Sequence, residues 1–414
     1  MTAAVIEQDL ASFVREIRKP ECWRDPYAHY HRLRQHGPII RTADDKFVVL
    51  SHRLCSAILK NPRWEHFPEL LCMSSQIFEK KARGTSPHAP IRPEILDAIP
   101  DRSGLRGRLA REFRPRLMRT LRPRIGEIAD ALLDEVQSVD FTDLIESLVI
   151  PFTSTAMGES FGVPPMDRHL FRKWSKTLRG AAEASFVPAG ARASTTRAEV
   201  DEVSHEVAAY MKGLVSERRR APNGDLLSAL VSGPRDQNQW SDDEIVSTIV
   251  SIIVVGHHTT SAFVGNGIVA LLNHPGQFAK LRENPQIARE AVAELLRYDA
   301  PAQLISRFAL EEMRLGDQPI VPGDIALMLI GAANRDPEAF AEPDRLDLTR
   351  SPNDHLAFSA GHAACFGAPL ADVAGQILFP KLAQRLPGLT FAAEPVQFDT
   401  IGLRGIAELP VRTG

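Results

Sequence analysis

Beyond residue 365, apolar residues recur at Leu370, Val373, Ala374, Ile377, Leu378, Leu382 and Leu386. That three-and-four spacing predicts a helix with one buried face. A longer apolar stretch follows Ser241-Asp242-Asp243-Glu244, a capping box, and runs to about Leu272 before Asn273-His274-Pro275 stops it. It is apolar nearly all round, which predicts a buried helix. Its most apolar run, 245–255, is interrupted by Ser and Thr and is too short to span a bilayer. Helical spacing also marks 27–35, 52–60 and 286–299, and several helices are expected within 125–235 around a loop at 185–194. Residues 39–41 and 47–50 read as a hairpin turning at Ala43-Asp44-Asp45, and 301–307 and 325–330 read as further strands. Residues 63–103 hold prolines at 68, 87, 90, 93 and 100 and read as irregular. The pattern is mainly α with a small β region.

Composition narrows this little. The 414 residues are 44% hydrophobic, enough for a large core, and no internal repeat or linker divides the chain, so one domain over 1–414 is expected. Net charge is −3, which gives no global reason to bind nucleic acid. Cys22, Cys55, Cys72 and Cys365 show neither metal spacing nor a disulfide framework, which suits a reducing cytoplasm. The opening MTAAVIEQDL has no apolar signal core, so no membrane anchor is expected.

Three stretches carry candidate chemistry. The first is HLAFSAGHAACFGAPL, residues 355–370, where Gly361 turns a loop that brings Cys365 to the start of a helix. Free N–H groups and the helix dipole there favour a thiolate, which ligates metal. Gly361 and Gly367 flank the cysteine, so backbone is expected close to something flat and large, with Phe358 beside the sulfur. On its own this pattern more often marks a buried structural cysteine. The second is Val255-Gly256-His257-His258-Thr259-Thr260, polar residues inside an apolar helix. Neighbours on a helix point about 100° apart, so the two histidines are not expected to share a metal; backbone hydrogen bonding is the plain alternative. The third is the basic tract 101–124, with Arg102, Arg106, Arg108, Arg111, Arg114 and Arg116, readable as a solvated face or a nucleic-acid patch. Glu294 and Arg297 share a helix face and can pair.

Residues 355–370 resemble the haem loop of the cytochromes P-450, whose pattern is Phe-Gly-x-Gly-x-His-x-Cys-x-Gly. Phe358, Gly361, Cys365 and Gly367 match; Ser359 replaces the first glycine and Ala363 the propionate-binding histidine. Gly256 and Thr259 match the family's oxygen-side motif, with His258 at its acidic position and Val255 at its small one. Glu294, Arg297 and Arg345 match its buried structural triad. The resemblance implies the cytochrome P-450 fold, haem b, and Cys365 as the axial iron ligand. It places Arg102, Arg106, Arg307 and His355 at the propionates, with Arg102 compensating for Ala363. Thr259 would position water, and His258 would relay protons.

Val255, Ala302, Leu304, Ile305 and Ile401 would line the pocket, with Phe67, Leu70, Leu71, Met73 and Ile77 from the proline-rich loop. The implied reaction is hydroxylation of a mostly apolar small molecule, in secondary metabolism. Electrons would come from NAD(P)H through ferredoxin reductase and ferredoxin, the outward arginines docking the acidic carrier. A monomer is implied, with neither nucleic acid nor membrane as partner. The altered Val255 and His258 leave open oxidative coupling or ring formation, peroxide-driven oxidation, or a non-catalytic haem sensor.

Overall fold

In a computed structural model of the chain, the described residues are 4–5, 10–66, 107–177 and 197–232 with single positions left aside, then 240–398 and 402–414. The helices are α1 (Leu10–Ile17), α2 (Pro26–Arg34), α3 (His52–Lys60), α4 (Pro115–Gln137), α5 (Ile150–Ser160), α6 (Arg197–Arg220), α7 (Leu226–Val231), α8 (Asp242–Asn273), α9 (Pro275–Glu283), α10 (Ala288–Tyr298) and α11 (Ala368–Arg385). The main sheet is built from β1 (Ala4–Val5), β2 (Ile39–Arg41), β3 (Phe47–Val49), β4 (Trp64–His66), β5 (Leu304–Ala309) and β6 (Ile325–Leu329). Helix dominates and the sheets are small, as the apolar spacing predicts.

α8 begins as its sequence dictates. Ser241 Oγ accepts from the Glu244 N–H at 3.2 Å, and Glu244 Oε2 accepts from the Ser241 N–H at 2.6 Å. The helix then runs 32 residues, long and apolar enough by composition to cross a bilayer, which corrects the expectation drawn from 245–255 alone. Instead 56% of its most apolar window is buried, against α5, α6 and α10. α11 packs along α4, α9 and α10. α8 and α11 interlock through Phe263 and Phe379, whose rings meet edge to face at 5.5 Å. A side chain at Gly267 would lie 2.5 Å from Phe379, and one at Gly375 3.0 Å from Phe263. Small residues there let two large rings fill the space between helix axes.

The sheet has the order β1-β2-β3-β6-β5-β4. β2 and β3 form the expected hairpin, with Ile39 opposite Val49 and Asp45 at positive φ in the turn. β3 then pairs parallel with β6, and β5 antiparallel with β6. Alternate residues face two cores. Ile40, Val48 and Leu327 meet Tyr27 and Tyr30 on one side; Ile39, Phe47, Val49 and Met328 meet Leu54 and Ile58 of α3 on the other.

Two strand boundaries differ from expectation. β5 starts at Leu304 because the preceding residues pair elsewhere: Ala302 bridges Leu403 and the Gln303 N–H donates to the Gly402 carbonyl at 3.1 Å. β4 arises where an irregular segment was expected. Trp64 is buried, and the strand pairs with β5 from Ala309 to Arg307. The burial of one indole outweighs the prolines that follow it.

Candidate active site

A buried ionic knot fixes the approach to Cys365. Arg297 donates from Nε to Glu294 Oε2 at 2.7 Å and from Nη2 to Oε1 at 2.8 Å, and both residues are 0% exposed. Arg297 Nη1 also donates to the carbonyls of Asn334 and Pro343, and Nη2 to that of Arg345. A bidentate pair with its remaining donors satisfied is what lets such charge stay buried. The third member of this knot, beside Glu294 and Arg297, is Arg350 and not Arg345. Arg350 Nε donates to both Glu294 oxygens at 3.1 Å. The Arg345 side chain is 60% exposed and pairs with Glu342, because only its carbonyl turns inward. Asn353 Nδ2 and the Asp347 N–H complete the shell around Glu294. Asn334 Oδ1 then accepts from the Leu356 N–H at 2.7 Å, carrying the knot into the cysteine loop.

That loop folds back on itself. The Cys365 N–H donates to the Phe358 carbonyl at 2.9 Å, and the Ala364 N–H to the Gly361 carbonyl at 3.1 Å. Gly361 has φ +68°, and a Cβ there would lie 2.7 Å from Lys60 Cα and 2.9 Å from the Leu59 carbonyl. Its small size therefore serves a backbone crossing over the end of α3. Gly367 does stand beside the sulfur: a Cβ there would be 3.7 Å from Cys365 Sγ. Ser359 holds φ +61° although it carries a side chain. Cys365 itself is exposed, unlike the buried Cys22 and Cys55.

Across from the sulfur runs α8. One cleft is lined by Cys365, Phe358, Gly367 and Leu370 on the loop side and by Ile252, Gly256, Thr259 and Thr260 on the α8 side. Met157 of α5 and Phe161 just past its end, which belong to no motif, close it together with Phe113. Nothing in the spacing of α5 distinguishes a cleft residue from a core one. Thr259 Oγ1 donates to the Val255 carbonyl at 3.0 Å, and Thr260 Oγ1 to the Gly256 carbonyl at 2.7 Å. Val255 is 60% exposed.

The two histidines diverge, as adjacent helical positions must. His257 Nε2 lies 3.3 Å from Thr153 Oγ1 on α5, and His258 stacks on Phe398 at 5.3 Å with ring planes 6° apart. Both are buried, and neither is among the residues lining the cleft.

The expected propionate and pocket residues fall only partly within the described residues. Arg102, Arg106, Ile401 and the five pocket residues of the proline-rich loop lie outside the described residues. Arg307 is 4% exposed on β5, with Nη1 donating to the Ser306 carbonyl at 2.8 Å. His355 sits by the ionic knot, its ring tilted on Phe358 at 5.8 Å; burial and the Arg297 charge push its pKa down to about 4. Leu304 packs into the sheet core with Tyr27, and Ile305 packs on the opposite face. Arg108 turns inward, donating to the Ala229 carbonyl at 2.5 Å near the end of α7, whereas Arg111 stays exposed.

A cysteine on a folded-back loop, facing a glycine and threonine of a long helix and backed by a Glu-x-x-Arg knot, has clear counterparts. The family model described as Cytochrome P450 matches residues 95–387. Cytochrome P450 CYP107DY1 of Priestia megaterium (strain ATCC 12872 / QMB1551) is 34% identical over 413 residues, covering 96% of this chain and 98% of its own. The structure of P450BioI in complex with hexadec-9Z-enoic acid ligated acyl carrier protein superposes with TM-score 0.79 at 32% identity, covering 95% of this chain and 99% of that one. CxnD, a cytochrome P450 enzyme for C–S bond formation in chuangxinmycin biosynthesis, gives TM-score 0.76 at 31% identity, covering 100% of this chain and 98% of its own. Fold, cleft and sequence thus agree that the chain belongs to the bacterial cytochromes P450, haem-thiolate monooxygenases.

Proposed function

We propose that this P450 binds haem b through Cys365 and hydroxylates a mostly apolar small organic molecule of secondary metabolism, with electrons from a ferredoxin and its NAD(P)H-dependent reductase. The observation that carries it is the cleft, with Cys365 on one wall and Gly256 and Thr259 on the other. The chemistry of the lining suits a flat, largely apolar group. Phe113, Phe358, Met157 and Leu370 supply apolar walls, Gly367 leaves the sulfur unscreened, and Gly256 on the facing wall admits Met157, which would lie 3.0 Å from a Cβ there. Phe358 and Gly367 would hold the macrocycle's edge and face, and Arg307 with Arg102 and Arg106 would serve the propionates.

Haem bound there supplies reductive activation of dioxygen. The chain's own contribution is to shape and proton traffic. Val255, an exposed aliphatic on a buried helix, presents an apolar surface to the substrate side and narrows it. Thr259 holds a hydroxyl at the cleft wall by back-bonding to Val255, ready to orient water. His258, one residue away, is the candidate relay, reached along the helix and not across the cleft. On the outside, Arg111, Arg119 and Arg122 are exposed on and just before α4, which packs on the cysteine helix, and suit an acidic electron carrier.

A second reading, oxidative coupling without oxygen transfer, is favoured by one observation: His258 stacks on Phe398 instead of facing the cleft. Ferrous protein under carbon monoxide should absorb far to the red, and Cys365→Ser should abolish that band. Turnover with a surrogate ferredoxin system in labelled dioxygen then decides between the readings. Product carrying one label supports hydroxylation; product short of two hydrogens and unlabelled supports coupling.

A further inference from the structure

Two departures from ordinary backbone and side-chain economy meet at Ser359. Its φ of +61° is a conformation that glycine takes freely and a residue with a Cβ resists. Its Oγ is also buried without a hydrogen-bond partner among the described residues. A buried hydroxyl left unpaired is costly, and such groups call for a specific reason. Glycine would remove both costs. Local conflicts of this kind concentrate where a ligand completes the structure.

The placement says which ligand chemistry completes it. Phe358 accepts from the Cys365 N–H at 2.9 Å, so Phe358 and Cys365 are neighbours across the loop and Ser359 is next in line. The Ser359 N–H is already held by the Leu356 carbonyl at 2.9 Å, which leaves the side chain as the residue's one uncommitted donor among the described residues. An anionic acceptor enters this region only on loading: a haem carboxylate, or the cysteine sulfur once it is a thiolate.

We propose that Ser359 is a positioning residue for Cys365, its hydroxyl donating to the ligating sulfur in the loaded protein. The assignment rests on Cys365 being the axial ligand. A hydrogen bond to the sulfur withdraws electron density from it, weakens the iron–sulfur bond and makes the iron easier to reduce. The strained backbone is the cost of carrying a donor at this position.

Holoprotein variants Ser359→Ala and Ser359→Gly test this through resonance Raman and redox titration. Both should raise the iron–sulfur stretching frequency and lower the reduction potential by the same shift, since both lack the hydroxyl. Only Ser359→Gly should also raise the melting temperature beyond that of Ser359→Ala. An alanine variant with wild-type frequency and potential overturns the proposal, leaving strain alone. Reconstitution with haem dimethyl ester separates the two acceptors. A wild-type-to-alanine difference that survives esterification supports the sulfur; one that vanishes assigns the hydroxyl to a carboxylate and overturns it. Wild-type protein lacking the far-red carbonyl band would fail the ligation reading itself, before any Ser359 variant is compared.

Discussion

At Glu294 two arginines compete for one carboxylate, and the choice has consequences. Arg350 reaches both oxygens, while the Arg345 side chain stays in solvent with Glu342. Removing one member of a buried ionic set costs ~3–5 kcal/mol, whereas an exposed pair contributes ~0–1 kcal/mol. Arg350→Ala should therefore lower the melting temperature and the haem content of purified protein sharply, and Arg345→Ala should leave both near wild type. Equal effects would contradict the assignment. Gly361→Ala should be just as damaging, by ~2–4 kcal/mol, because it adds left-handed strain to a backbone clash with Lys60. Urea unfolding of the two holoproteins measures it. Neither role was readable with certainty from residue type. Arg345 and Arg350 lie on an irregular segment with no period to say which side chain turns inward. The glycine was visible, but its partner, α3, is remote in sequence.

Elements with a strong period were legible almost to the residue. α3, α8, α10 and α11 all lie where apolar spacing and capping put them, because burial of one face decides a helix more firmly than any single residue. Where that rule is broken, a cost is visible. Asp372 on α11 is desolvated, which pushes its pKa up to about 6 against only a partial offset from Arg289. The folded state thus holds its proton more tightly than the unfolded chain, whose value is near 3.8. This contribution favours folding below that value and is lost as pH rises to about 6. Asp372→Asn should raise stability at pH 7 by about 1–2 kcal/mol and leave it unchanged near pH 3.5. A melting curve at each pH checks both limbs. Shorter strands were less legible: 301–303 carries strand-like residues yet pairs with the C-terminal segment, a contact no local pattern encodes.

At the scale of the whole molecule, acid should act on the ionic knot through His355. His355 is held down to about 4 by burial, with Arg297 adding to the effect and Glu294 opposing it. Its unfolded value is near 6.5, so its contribution to stability is complete above that pH and is lost as pH falls towards about 4. Stability of the wild type should fall by up to about 1 kcal/mol per pH unit in this window, and His355→Gln should flatten that slope. An unchanged slope would remove His355 from the account. The family was legible because its motifs are short, contiguous words. The cleft's third wall, from Met157 of α5 and Phe161 just past its end, was not, because it exists only once distant helices are assembled.

The crossing of Gly361 over α3 bears on how the molecule comes together in time. The cysteine loop is anchored on a helix near the start of the chain; close by, His52 Nε2 and the Asp354 carbonyl meet at 2.7 Å across 302 residues of sequence. Contacts of such separation form late, since the entropy of closing so long a loop must be offset by structure already in place. The cysteine loop therefore reaches its final position only after the N-terminal sheet and the C-terminal helices have docked. A nascent chain on the ribosome, or one truncated before α11, has no finished pocket to load. Haem capture should accordingly be the last event of biogenesis, and in a refolding experiment it should lag behind the recovery of helical circular dichroism.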